Sequence, residues 1–283
     1  MYRSPVEGAF LWSGVYTAGI WSDAASPVAA VGRRAEEVRA GNMQAAKKSG
    51  GIDAFWLKAI AIVGMTLDHT GIVFAEQLLL WEKTALYALG GLTFPIMAFL
   101  LCEGYRHTRD VRKYMLRLLV FALIAQAPYM WALAKQLNVL FTLLLGLLAI
   151  HWTQRTESRI LRIAVAVGLT ALSLVCDWGG IGVPMILCCY YAKTPVKKVV
   201  TPLLVAAPIA GIAPLIALVG GNLDALPGVC YFFVGSALTI PLLLHYNGQR
   251  GKPLRYFFYA YYPLHIAALG LLYGLMTGTW GIW

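Results

Sequence analysis

Residues 57–75 read LKAIAIVGMTLDHTGIVFA, an apolar run long enough to cross a bilayer, with Thr66-Leu67-Asp68-His69-Thr70 set inside it. Hydrocarbon tolerates charge poorly, and an aspartate near the centre of a membrane helix costs about 3 kcal/mol on insertion scales. Two adjacent titratable residues at that depth therefore read as a functional site. The rest of the chain has to say which kind.

Apolar residues make up 59% of the 283 positions and charged residues 13%, against about 25% charge in a soluble domain. The class is a polytopic, all-α membrane helix bundle. A net charge of +10 would suit nucleic acid, but the Lys and Arg residues sit in short loops between apolar segments. That is the pattern of membrane topology, and nucleic acid is excluded as a partner. The five cysteines are odd in number and lack metal-type spacing, so reduced structural thiols are expected and no metal.

Two domains are expected, an N-terminal extension over residues 1–50 and a transmembrane domain over 51–283. In the extension Arg3 precedes an apolar run, but Ser13 and Gly14 interrupt it and no cleavage site is evident. A flexible or interfacial segment hinged at Gly50-Gly51 is the expectation. Nine hydrophobic segments follow, near 57–76, 85–105, 114–134, 137–152, 160–176, 181–193, 199–219, 229–245 and 254–275. The fourth and sixth are short, and are expected to tilt little or to lie inside the bundle.

Alternate loops carry Arg106, Arg109, Arg112, Lys113 and Arg117, then Arg155, Arg159 and Arg162, then Lys193, Lys197 and Lys198, then Arg250, Lys252 and Arg255. The other side holds Lys83 and Lys135. Fourteen against two predicts a cytoplasmic N-terminus and an inner-membrane, multi-pass protein surrounded by lipid. No internal repeat joins the two halves, which argues against the commonest transporter architectures.

At 1.5 Å per residue, Asp68 and His69 lie roughly 17 Å from the basic side, and His265 and Gln126 fall at a similar level. Four polar groups from three helices point to a shared cavity. Asp68 and His69 project about 100° apart, so each must meet other helices, and His265 is the expected partner for one of them. Pro263 bends the last helix and frees the Tyr259 carbonyl, and Thr93-Phe94-Pro95 marks another expected kink. Glu103 ends the second segment. Arg106, Arg109, Arg112 and Lys113 beyond it form an anion-attracting patch suited to the phosphates of a nucleotide-bearing donor, or to anionic lipid headgroups. On the other side Asn138, Thr142 and the Asp177-Trp178-Gly179-Gly180-Ile181-Gly182 turn complete the polar set. No zinc signature, phosphate loop or Gly-x-Ser-x-Gly elbow is present, which leaves acid–base work by histidine and carboxylate.

A series of elements in fixed order carries a family resemblance. They are Leu67-Asp68-His69, Gly90 through Phe99, Glu103-Gly104-Tyr105-Arg106-His107-Thr108 and Tyr114 through Arg117. Gln126-Ala127-Pro128-Tyr129, Asn138-Val139-Leu140-Phe141-Thr142 and Phe257 through His265 continue the series. Over about residues 55–275 the chain resembles the TraX family, the conjugative-pilin acetylation proteins, and more distantly the membrane acyltransferases. One departure is Gly91-Leu92, where Gly-Arg is expected. The resemblance implies transfer of an acetyl group from cytosolic acetyl-CoA to the N-terminal amine of a pilin subunit.

The expected roles follow. His69 is the general base, with Asp68 or His265 orienting it; Arg106, Arg109, Arg112 and Lys113 hold the donor; Glu103, Gln126, Asn138 and Asp177 meet the acceptor. A sugar or another amine would suit the same site. A proton-coupled transporter using Asp68, His69 and His265 as a relay, and a non-catalytic pilus assembly factor, are the alternatives.

Overall fold

The computed structural model describes residues 50–281. The expectation of a flexible or interfacial N-terminal extension falls outside the described residues. Within them the protein is all-α, with no strand and two isolated bridges. The helices are α1 (Ala54–Val73), α2 (Leu80–Gly90), α3 (Thr93–His107), α4 (Val111–Ala132), α5 (Val139–Arg155), α6 (Arg159–Leu172) and α7 (Gly182–Tyr191). They continue as α8 (Pro195–Ala206), α9 (Ile212–Val219), α10 (Leu226–Cys230), α11 (Ser236–Leu244) and α12 (Arg255–Thr277).

Polar caps start many of these helices. Asp53, Asp110, Asn138, Ser158 and Thr194 each accept a backbone N–H in the first turn of α1, α4, α5, α6 and α8. An apolar helix has four orphan N–H groups at its start, and these side chains satisfy one of them where the chain enters the membrane.

Every predicted hydrophobic segment is helical, but several are interrupted. The second comprises α2 and α3, broken at Gly91-Leu92 just before Pro95. The seventh joins α8 to α9 through a π-helical turn at Ala207–Gly211, and the eighth joins α10 to α11 through another at Tyr231–Gly235. Among the described residues four helical stretches are long and apolar enough to span, taken across their breaks and π turns: Leu80–His107, Val111–Ala132, Pro195–Val219 and Leu223–Leu244. The short sixth segment, α7, lies inside the bundle with Val183, Met185 and Ile186 fully buried. By contrast α6 buries none of its residues, and Ile160, Ile163 and Val167 point outward as a lipid-facing surface would.

Loops of the same predicted side meet. Ile52 donates to the His245 carbonyl and Asn247 to the Ile52 carbonyl, tying the start of α1 to the basic loop before α12. At the opposite end Leu137 donates to Val175 O and Asp177 donates to Leu137 O. Glycines let the helices close in between. Gly91 and Gly235 face each other with no room for a side chain on either, and Gly146 lies against Ile186. This close approach brings the π turn at Tyr231 against the break between α2 and α3.

Candidate functional site

The α1–α12 contact is a ladder of polar rungs one turn apart. The Thr66 and Tyr261 hydroxyls share a 2.8 Å hydrogen bond. On the next rung His69 Nδ1 lies 2.8 Å from His265 Nε2, with the two rings parallel. His265 Nδ1 lies 2.9 Å from the Tyr261 carbonyl. A carbonyl only accepts, so that nitrogen of His265 carries the proton. With both rings neutral, His265 Nε2 then accepts from His69 Nδ1–H. The proton order leaves the lone pair of His69 on Nε2.

Two cavities meet at this point. The larger, of about 460 Å³, runs from Ala54, Lys58, His107 and Arg250 at the basic face to Asp68, His69, Asp177 and Trp178. Its walls are mainly apolar, with Met65, Met97, Leu101 and Leu143 among them. The smaller, of about 290 Å³, shares Asp68, His69, Asp177, Trp178 and Tyr231 with the first. It continues to Tyr87, Tyr129, Leu133 and Gln136 near the opposite face. His69 thus borders both spaces with Nδ1 already engaged, while His265 stands behind it and lines neither.

Asp177 and Trp178 reach the site through a strained turn. Trp178 has φ 59°, a left-handed conformation that a bulky residue adopts only where its surroundings impose it. The restraints are visible: Thr142 Oγ1 donates to the Asp177 carbonyl, and the Trp178 ring stacks on Phe94 at 4.2 Å. The turn is therefore part of the cavity wall between α6 and α7.

The sequence-derived residues divide into three groups. Asp68, His69 and Asp177 come together at the junction, with His265 behind them. No hydrogen bond joins Asp68 to His69, so of the two expected orienting partners it is His265 that meets the base. Gln126 and Asn138 do not line either cavity. Asn138 Nδ2 donates to Ala122 O and to Gln126 Oε1, while Gln126 Nε2 donates to Gln136 O. They lock the α4–α5 turn, because a fully buried amide at a helix start must find partners.

The third group lies at the basic face. Glu103 lines the large cavity but is bound to Arg106 at 2.6 Å and Lys198 at 3.5 Å. Arg106 also donates to Tyr190 O, tying α3 to α7, while Lys198 ties it to α8. Lys113 pairs with Asp110, and none of Arg106, Arg109, Arg112 and Lys113 lines the cavity. Among the described residues the Lys and Arg that do are Lys58, Arg117 and Arg250. Leu92, at the departure noted above, packs in the core beside Gly64, so that position contributes an apolar contact.

Sequence reading missed Trp178, Tyr231 and Tyr87 as wall residues. Tyr231 sits in a π turn that no periodicity signalled, although π turns favour functional sites. The only available hint at Trp178 was its place beside Asp177 in a glycine-rich loop.

The model of the family described as TraX protein matches residues 54–273. A probable fimbrial assembly protein FimC, serogroup H1, of Dichelobacter nodosus is 36% identical over 235 residues, covering 76% of this chain and 93% of the relative. No solved structure gives a significant match.

Proposed function

This chain belongs to the TraX family of membrane proteins, and from that membership and the cavity geometry we propose that it is an acetyl-CoA-dependent membrane acetyltransferase. The observation that carries the reading is the His265–His69 relay, which leaves His69 Nε2 as a base where two cavities meet. A donor enters from the basic, cytoplasmic face and an acceptor from the opposite space. By family resemblance the acceptor is the N-terminal amine of a pilin subunit. An α-amine has a pKa of about 7.7–8.0, so a useful fraction is neutral and nucleophilic near neutral pH.

The chemistry balances with one base. The neutral amine nitrogen attacks the thioester carbonyl carbon, forming C–N, and its proton passes to His69 Nε2. Collapse of the tetrahedral intermediate breaks C–S, and the thiolate takes the proton from the imidazolium to leave as CoA thiol. His265 accepts the Nδ1–H throughout and fixes the ring's orientation. Held apart from bulk water by the apolar wall, the thioester meets the amine before hydrolysis competes.

Labelled acetyl transfer from acetyl-CoA to primary-amine peptides, by the purified protein in nanodiscs, tests the reading. Incorporation into the amine supports it. The relative's name favours a second reading, a non-catalytic assembly factor, in which the histidine pair only joins α1 to α12. That reading predicts no transfer with any acceptor.

A further inference from the structure

The basic end of the large cavity is built differently from the surface patch that the sequence singled out. Three cations from three separate elements converge on it: Lys58 on α1, Arg117 on α4 and Arg250 in the loop before α12. Arg117 lies over the Tyr114 ring at 5.7 Å, and its buried Nε has no hydrogen-bond partner among the described residues. A buried guanidinium N–H without an acceptor is costly, and a phosphate oxygen is the acceptor that a planar fork matches best. Lys58 is held over Phe258 at 5.6 Å. The acid that lines this end of the cavity, Glu103, is bound by Arg106 and Lys198. Eleven residues of α1 separate Lys58 from His69, about 17 Å along the helix axis.

We infer that Lys58, Arg117 and Arg250 form the binding site for the phosphate esters of the donor, with the thioester arm lying along the cavity toward His69. This rests on the acetyl-CoA reading above and gives it a location. Arg109, Arg112 and Lys113 stay outside the site. Phosphate esters also occur in anionic lipid headgroups, so the test must separate the two sources.

The experiment is equilibrium binding of CoA to the full chain in nanodiscs of zwitterionic lipid, repeated with anionic lipid added. Wild type is compared with Arg117→Gln, Arg117→Lys, Arg250→Gln and, as controls, Arg109→Gln and Arg112→Gln. Thermal unfolding of each variant establishes that it is folded. Loss of a charged hydrogen bond should weaken CoA binding about tenfold or more in Arg117→Gln and Arg250→Gln. Arg117→Lys should fall between, the controls should change less than twofold, and pantetheine, which lacks the phosphates, should be indifferent to Arg117→Gln.

Wild-type affinity in Arg117→Gln and Arg250→Gln, with transfer activity intact, overturns this site but leaves the acetyltransferase reading standing. Retention of anionic lipid, rather than CoA, that depends on these cations assigns the site to headgroups and also overturns it. Failure of wild type to bind CoA in either disc overturns both.

Discussion

His265 holds His69 from behind: Nε2 of one ring lies 2.8 Å from Nδ1 of the other, and the Tyr261 carbonyl fixes the far nitrogen of His265. The contact joins α1 and α12 near the middle of the bundle. It also decides which nitrogen of His69 is basic, which no inspection of His69 alone would show.

If His265 positions the base, what matters is an acceptor at its Nε2. His265→Gln can still offer a carbonyl oxygen and should retain part of kcat. His265→Leu should lose about tenfold to a hundredfold in kcat, with the KM for acetyl-CoA unchanged. Equal kcat in the two variants would show that the bond to His69 does not matter.

Asn138 reads as structural. Its side chain accepts from Leu140 N and donates to Ala122 O and Gln126 Oε1. Asn138→Ala removes a helix cap and strands buried partners, which should cost about 1–3 kcal/mol. The thermal midpoint should drop while the KM for the acceptor, measured below that midpoint, stays put. A raised KM without a stability change would return Asn138 to the substrate.

Gly90 and Gly168 make a matched pair. A methyl at Gly90 would run into the Asp68 side chain, whereas one at Gly168 meets none of the described residues within 4 Å. Gly90→Ala should destabilise by about 1–3 kcal/mol through overpacking and displace Asp68 from the junction. Gly168→Ala, on the outward helix α6, should stabilise by up to about 1 kcal/mol. Thermal unfolding in one detergent, with activity alongside, compares them directly.

Asp177 lines both cavities beside Trp178 and Tyr231, where its carboxylate can accept a hydrogen bond from the N–H of a neutral amine. Asp177→Asn should raise the KM for an amine acceptor roughly tenfold while sparing that for acetyl-CoA. An unchanged KM for the amine in folded Asp177→Asn would remove Asp177 from acceptor recognition.

Much of this arrangement was legible in the sequence, and the failures share one cause. Helix positions followed from apolar runs, and depth with the rarity of histidine in hydrocarbon brought His265 to either Asp68 or His69; the structure pairs it with His69. Asp177 was harder to place, since an acid in a glycine-rich loop reads equally well as an exposed turn until the Trp178 backbone folds it inward. Gln126 was assigned to the cavity by depth alone, but depth does not give direction, and its amide turns to Asn138. The arginine patch was dense enough to draw attention, yet Arg106 and Lys113 have local acidic partners. Lys58 and Arg250 are scattered in the chain and converge only in three dimensions. Periodicity gives the axial coordinate of a residue; its azimuth depends on neighbours that helix packing alone brings near.

The central claim is that His69 is the base, and free-thiol release from acetyl-CoA in the presence of an amine acceptor tests it most directly. Wild type and His69→Ala, both purified in nanodiscs and matched for folding by thermal unfolding, are compared at saturating donor. Loss of the base should lower turnover by about 10²–10⁴-fold with CoA binding retained. Turnover of folded His69→Ala equal to wild type would contradict the account.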